Sequence, residues 1–129
     1  MTDAGGAVPS GAAPLFHLAL SDEWAAARDA GVYDRSTVGR SLAEEGFIHC
    51  SFAEQVRGTA DRYYRGRDDV VLLRIAPARL GSEVRVEPVP GGDRFPHVYG
   101  PIPLDAVERA EPLRVGSDGR LVLPADLPR

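Results

Sequence analysis

The chain contains three histidines, and each lies within an apolar segment that is typical of a strand. The three segments are Phe16-His17-Leu18, Phe47-Ile48-His49-Cys50-Ser51 and Phe95-Pro96-His97-Val98-Tyr99. A histidine has an ordinary pKa of about 6.5, so it can act as a general acid or base at neutral pH. A single histidine in such a segment is more often a partly buried side chain with satisfied hydrogen bonds. Because all three share this context, we expect them to converge on one cleft that carries the activity.

Other polar side chains extend the candidate site. Hydroxyl groups that can donate hydrogen bonds belong to Tyr33, Ser41 and Tyr99. Guanidinium groups recognise phosphate through two parallel hydrogen bonds, and the candidate anion contacts are Arg40, Arg85 and Arg94. The alternative for each is a packing residue or a solvated surface arginine. The predicted catalytic residues are His17, His49, His97 and Tyr99, and the predicted substrate or cofactor contacts are Ser51, Arg40, Tyr33, Glu87 and Arg94.

Metal and thiol chemistry have weaker support in the sequence. Three imidazoles can in principle bind zinc, but zinc sites generally contain closely spaced pairs of ligands, and the chain has no such pair. We therefore predict no metal site. Side chains alternate along a strand, so Cys50 and His49 point to opposite faces and are not expected to act together. We predict a buried, structural thiol at Cys50.

Composition limits the class of protein. A chain of 129 residues fits one domain, and its hydrophobic and charged fractions, 43% and 26%, are close to the globular average. We expect a flexible N-terminal tail over residues 1–13, a single domain over 14–123 and a C-terminal tail over 124–129. The absence of lysine excludes a Schiff-base lysine and a Walker-type phosphate loop, because both need its amine.

Charge and hydropathy indicate partners and location. A net charge of −4 argues against broad nucleic-acid binding, which needs a basic face. No apolar run approaches the roughly 20 residues of a membrane-spanning helix, and no secretory signal is visible. The single cysteine excludes an internal disulfide. We expect a cytoplasmic protein with a small-molecule or nucleotide-like ligand.

The elements that must position these residues are short. Patterning predicts strands over residues 15–20, 47–51, 70–76, 84–87, 107–115 and 121–123, with the fourth of these carrying Arg85 and Glu87 on one side. It predicts a helix over 21–30 with Ser21 as N-cap, a turn of helix over 41–45, and a helix opened by a capping box of Ser51 and Glu54. Three prolines within residues 95–103 predict a rigid, packed loop. These elements favour an α+β fold in which a split or curved sheet packs about two helices.

Three motifs resemble one bacterial family. They are the run Glu45-Gly46-Phe47-Ile48-His49-Cys50-Ser51, the apolar strand over 71–75, and a Phe-Pro-His-x-Tyr-Gly-Pro loop that starts at residue 95. In this order they closely resemble domain-of-unknown-function family 952, a family of small bacterial proteins. The resemblance spans about residues 15–111, and the family name supplies no activity.

That family is in turn similar to the ADP-ribosyltransferase group, so the resemblance implies an ADP-ribosyltransferase-like split, curved sheet with a cleft for NAD. The RNA 2′-phosphotransferases of that group carry a histidine strand, a His-Val-His-Leu-Ser strand, an apolar strand and a late Val-Pro turn. The similar segments here are 16–18, 46–51, 70–75 and 102–103. Leu18-Ala19 replaces the Gly-Thr that helps those enzymes to hold NAD. Glu87 is the candidate for the late glutamate of protein ADP-ribosyltransferases.

Together these observations predict a transferase or related enzyme that acts on a nucleotide-like substrate, with NAD as the candidate cofactor. If NAD is used, His17 would hydrogen-bond the nicotinamide ribose and an arginine would hold the pyrophosphate. Glu87 or an acceptor would then meet the positive charge that develops on the ribose. One alternative is a non-catalytic small-molecule binding module on the same fold. The other is a metal-dependent enzyme with histidine ligands.

Overall fold

The computed structural model describes residues 13–36 and 40–127. The predicted N-terminal tail, except Ala13, and the last two residues of the predicted C-terminal tail lie outside this range. The strands of the described ranges are β1 (Leu15–Leu20), β2 (Val32–Tyr33), β3 (Ile48–His49), β4 (Val70–Ile75), β5 (Val84–Pro88), β6 (Arg94–Val98), β7 (Ile102–Pro103) and β8 (Val107–Leu113). The α-helices there are α1 (Ser21–Ala30), α2 (Leu42–Glu45) and α3 (Val56–Tyr63). Short 3₁₀ turns occupy Ala53–Gln55, Pro77–Arg79 and Leu104–Ala106.

Strand β4 forms the centre of the first antiparallel sheet, whose order is β1-β4-β8. Its side chains alternate between two separate parts of the core, because successive residues of a strand point to opposite faces. Leu73 and Ile75 belong to one part, which also contains Ile48 and Val98 of the second sheet. Leu72 belongs to the other part, where α3 packs. The apolar run that predicted a doubly buried central strand is confirmed.

The second antiparallel sheet has the order β3-β6-β5, and here the sequence-based prediction of a loop over residues 95–103 was wrong. Residues 94–98 form the central strand in spite of Pro96. The carbonyl of Pro96 accepts a hydrogen bond of 3.0 Å from the Cys50 N–H, one residue beyond the end of β3. Proline has no N–H to donate. At Pro96 this donor is lost only where the pairing of β6 with β3 ends, so β6 loses few backbone hydrogen bonds.

The two sheets meet at one backbone bridge. Phe16 of β1 and Ser51 exchange hydrogen bonds of 2.8 Å and 2.7 Å between their main chains. Strands β2 and β7 form a separate antiparallel pair. The molecule is a mixed α+β fold of antiparallel sheets with three helices in the described ranges, none of which is long and apolar enough to cross a membrane.

Two of the predicted helix caps differ from the structure. Ser51 does not cap the helix that follows: its hydroxyl lies 3.1 Å from the Thr59 hydroxyl, and Gln55 Oε1 accepts from the Phe52 N–H instead. Helix α1 has no side-chain cap, because Ser21 is already helical and its N–H donates to the Asp69 carbonyl. The prediction for Ser51 failed because a distant hydroxyl pairs with its side chain, and the prediction for Ser21 failed because the helix begins one residue earlier than expected. The predicted end of α1 is confirmed at Gly31, whose φ is 86°.

Helix α2 has the capping box that the other two helices lack. The Glu44 N–H donates to Ser41 Oγ at 3.2 Å, and the Ser41 N–H donates to Glu44 Oε1 at 2.9 Å. We expect Ser41→Ala to lower the free energy of unfolding by about 1 kcal/mol, and the matched Ser21→Ala, which removes no cap, by less than about 0.5 kcal/mol. Denaturant unfolding of the two variants measures this difference. Equal losses would show that the box contributes nothing specific.

Candidate active site

One face of the second sheet gathers most of the predicted site. Because β3, β5 and β6 are antiparallel, the register places His49 opposite His97, Arg85 opposite His97, and Glu87 opposite Phe95. Residues that are directly opposite, or two apart on one strand, share a face. The side chains on this face are Phe47 and His49, then Phe95, His97 and Tyr99, then Arg85 and Glu87.

Glu87, His97 and His49 form a continuous series of hydrogen bonds. His97 Nδ1 lies 2.8 Å from Glu87 Oε1, and His97 Nε2 lies 3.1 Å from His49 Nδ1. A carboxylate only accepts, so His97 Nδ1 carries the proton that it donates to Glu87. When both rings are neutral, His97 Nε2 accepts from the His49 Nδ1–H. His49 Nε2 is then unprotonated, and no group of residues 13–36 or 40–127 hydrogen-bonds it.

The charges along this series favour a carboxylate at one end and a neutral ring at the other. Hydrogen bonds from Tyr99 and then His97 hold the pKa of Glu87 below its ordinary value. Burial, followed by the proximity of His97 and His17, lowers the pKa of His49 to about 4. His49 is therefore neutral at pH 7 and presents a lone pair rather than a charge.

Tyr99 acts on Glu87. Its hydroxyl donates to Glu87 Oε1 at 2.5 Å, and its ring lies beneath the Arg85 guanidinium at 4.5 Å. Phe47 stacks on His97 with ring centroids 4.1 Å apart. These contacts fix the carboxylate and the His97 ring from two sides. Tyr99 is thus a positioning residue for Glu87.

His17 lies behind the shared face, in the core. Its Nδ1 lies 2.7 Å from the His49 carbonyl, so Nδ1 carries the donated proton, and Nε2 accepts from the Tyr33 hydroxyl at 2.8 Å. Burial lowers the pKa of His17 to about 4. Both ring nitrogens have protein partners, so His17 and Tyr33 hold the backbone of β3 at His49. His17 lines a separate cavity of about 10 Å³.

The shared face forms the floor of a cleft of about 380 Å³. His49, His97, Phe47 and Phe95 line the floor, and helix α3 with the turn before it supplies one wall through Gln55, Gly58, Thr59, Arg62 and Tyr63. The loop between β5 and β6 supplies a second wall, closed on itself by a hydrogen bond of 2.9 Å from the Val89 N–H to the Asp93 carbonyl. Gln55 Nε2 donates to the Arg94 carbonyl at 2.7 Å, which ties the turn before α3 to the start of β6.

Comparison with known proteins gives the family. The sequence model of the family described as "Protein of unknown function (DUF952)" matches residues 18–110. This chain belongs to the DUF952 family. The family resemblance in its motifs is therefore confirmed. No curated protein matches the chain.

Two solved structures of one protein resemble this DUF952 chain. The crystal structure of protein CC0527 from Caulobacter crescentus is 33% identical, has a TM-score of 0.75, and covers 85% of this chain and 94% of its own. The solution NMR structure of CC0527 is 34% identical, has a TM-score of 0.70, and covers 83% and 90%. The fold of this chain thus also occurs in CC0527, and the match covers most of both chains.

The remaining predicted contacts of this DUF952 site lie away from the cleft. Ser51 is buried and its hydroxyl pairs with Thr59. Arg40 is exposed and lies 4.0 Å from Glu45, and Arg94 is exposed with its guanidinium 3.4 Å from the Val86 carbonyl. The structure therefore brings together His49, His97, Tyr99 and Glu87, and leaves the other predicted residues behind or beside this group.

Sequence reasoning missed the helix wall of the DUF952 cleft. Gln55, Thr59 and Arg62 are spaced four and three residues apart, which places them on one side of a helix. This polar stripe beside the apolar face was the available signal. Its position over His49 depends on tertiary packing.

Cys50 belongs to the hydrophobic core and not to the cleft. Cys50 is a free, buried thiol, as predicted, and burial raises its pKa. Within the two described ranges, no group of three or more His, Cys, Asp or Glu side chains is arranged to hold a metal ion.

Proposed function

We propose that this DUF952 protein is an enzyme that transfers a group from a nucleotide-like substrate to an acceptor hydroxyl in the cleft. His49 acts as the general base. The observation that carries the proposal is the hydrogen-bonded series from Glu87 through His97 to His49, whose Nε2 has no hydrogen-bond partner among residues 13–36 and 40–127.

The series can move one proton without placing a charge on His49. The acceptor O–H bond breaks, and its proton goes to His49 Nε2 while the acceptor oxygen bonds to the transferred group. The bond to the leaving group breaks, and that group keeps the electron pair. His49 passes its Nδ1 proton to His97 Nε2. The positive charge then rests on His97, beside the Glu87 carboxylate at 2.8 Å. This arrangement lets a buried His49 with a low pKa serve as a base at neutral pH.

The lining of the cleft supports a nucleotide-like substrate. Phe47, Phe95 and Tyr63 offer aromatic surface to a base, and Arg62 offers a cation to a phosphate. The volume of about 380 Å³ lies near the small end of ligand pockets, which span about 300–1,000 Å³. A cleft of this size takes one nucleoside-sized group.

We also propose that the fold is ADP-ribosyltransferase-like and that the protein works in the cytoplasm. The order of the histidine strands and the junction of two three-stranded sheets at Phe16 and Ser51 support the first. The cytoplasm is a reducing compartment and would keep Cys50 as the thiol that the structure has. A shared fold does not by itself supply a reaction.

A non-catalytic binding module is the second candidate, and a specific observation favours it. The predicted arginines Arg40 and Arg94 do not line the cleft, so Arg62 is the one arginine of the described residues that does. Many phosphoryl and glycosyl transfers need more positive charge than this around the reacting group.

A panel experiment separates the two candidates. The full chain is titrated by calorimetry at pH 7 with the four ribonucleosides, their 5′-monophosphates and NAD, and each mixture is analysed for products by mass spectrometry, with and without added alcohol as acceptor. The enzyme proposal expects saturable binding and a new product that depends on the protein. Binding without any product would overturn it in favour of the binding module. No binding by any compound would overturn the nucleotide-like substrate itself.

A further inference from the structure

We infer that the cleft takes a ligand with a single phosphate group, held at Arg62, and that it excludes a pyrophosphate-linked dinucleotide such as NAD. The inference rests on the proposed function, because it narrows the class of substrate for the same cleft. It differs from what the family resemblance implies, since NAD carries two linked phosphates.

Arg62 is free to hold an anion. It is exposed on helix α3 and lines the cleft, and its guanidinium carbon lies 5.4 Å from the centre of the Tyr63 ring. No carboxylate of the described residues forms an ion pair with it. Many other arginines are already engaged: Arg40 pairs with Glu45, for example, and Arg85 pairs with Glu83. A guanidinium without a carboxylate, beside an exposed aromatic ring, suits a phosphate next to a stacked base.

The rest of the cleft repels a second phosphate. Apart from Arg62, the lining residues of the described ranges with acidic or imidazole side chains are Glu45, Asp93 and the two histidines. Arg62 and the two carboxylates give the lining a net charge of −1 while both histidines are neutral. Arg40, which lies 4.0 Å from Glu45 outside the lining, is exposed to solvent and offsets the Glu45 charge only in part. The Glu87 carboxylate behind His97 adds another negative charge. A pyrophosphate carries two negative charges, and a site for it needs more than one cation.

The strand register places one carboxylate at each end of the cleft, so a phosphate is repelled at both ends. Glu45 precedes β3 and Asp93 immediately precedes β6, and these two strands run antiparallel with His49 opposite His97. The starts of antiparallel strands lie at opposite ends of the pair. Glu45 and Asp93 therefore bracket the floor, so a dinucleotide that leaves the cleft at either end passes a carboxylate.

Calorimetry with three probe classes tests the inference. Ribonucleosides, their 5′-monophosphates and NAD are titrated into the wild-type full chain at pH 7 and low ionic strength. We expect the best monophosphate to bind about 10–100-fold more tightly than its nucleoside, the range for a hydrogen bond to a charged group. NAD is expected to bind no more tightly than the nucleoside.

Matched variants test whether Arg62 is the residue that binds the phosphate. Arg62→Gln should reduce monophosphate affinity to that of the nucleoside, whereas Arg28→Gln, which removes the same charge from the exposed end of α1, should leave it unchanged. The double variant Glu45→Gln with Asp93→Asn should raise NAD affinity at least tenfold.

NAD binding more tightly than every monophosphate, or monophosphate affinity within twofold of wild type in Arg62→Gln, would overturn the inference. Nucleosides that bind while monophosphates bind no better would overturn the inference alone. No binding by any of the three classes would overturn the proposed function as well.

Discussion

Replacing His49 by glutamine is expected to lower kcat of the proposed transfer about 10²–10⁴-fold, the usual contribution of a general base. Glutamine fills a similar volume and its amide can still hydrogen-bond His97, so the floor of the cleft persists. It has no nitrogen that accepts a proton, and the acceptor hydroxyl then has no route to His97. The loss should appear in kcat, and KM should change little. His49 accepts the proton during the transfer step and does not stabilise the bound substrate before that step.

The comparison uses the substrate that the nucleotide panel identifies. Ser21→Ala is the control, since Ser21 lies at the exposed start of α1, caps no helix and does not line the cleft. Circular dichroism and the unfolding midpoint establish that each variant is folded. A His49→Gln protein that is folded and retains kcat within threefold of wild type would contradict the role of His49 as base.

Acid is expected to destabilise the protein through His17. Its pKa is about 4 in the folded protein and about 6.5 when unfolded, so the unfolded chain binds the extra proton between these values. The stability is therefore fully present above pH 6.5 and is lost as the pH falls from 6.5 towards 4. A difference of this size corresponds to about 3 kcal/mol of the free energy of unfolding.

The variant His17→Gln isolates this contribution. Glutamine can donate to the His49 carbonyl and accept from Tyr33 while it binds no proton. Unfolding in urea at several pH values between 7 and 4 should show that wild type loses about 3 kcal/mol more than the variant. The contributions of His49 and the carboxylates remain in both proteins and cancel. Parallel losses in the two proteins would show that His17 is protonated in the folded state.

The parts of the fold that the sequence predicted are those set by local pattern. Strand β1, helix α1 and strand β4 follow from apolar runs and from Gly31, whose left-handed backbone ends the helix. Strand β6 was missed because the position of Pro96 at the end of a ladder depends on where β3 stops, which is not a local property. The cap at Ser51 was missed for the same reason, since Thr59 competes for its hydroxyl.

In the candidate site, too, the sequence predicted the features set by local pattern and missed those set by register and packing. Alternation along the strands predicted that His49 and Cys50 point apart and that Arg85 and Glu87 share a side, and the structure has both. The hydrogen bond between Glu87 and His97 could be predicted only from the register that pairs β5 with β6. The burial of His17 against Tyr33 and the place of Arg62 over the floor needed the packing of separate elements. The nucleotide-like substrate and the ADP-ribosyltransferase-like fold stay predictions.

The most direct test of the account is the position of the ring protons on His49 and His97. Long-range ¹H–¹⁵N correlation spectra of the ¹⁵N-labelled protein at pH 7 report which nitrogen of each histidine is protonated. If His49 is the general base, each ring carries a proton on Nδ1, the His97 Nδ1 proton is shifted strongly downfield by its hydrogen bond to Glu87, and this shift is lost in Glu87→Gln. A proton on His49 Nε2 in the ligand-free protein would rule out His49 as the base, because the nitrogen that must take the proton of the acceptor hydroxyl would already carry one.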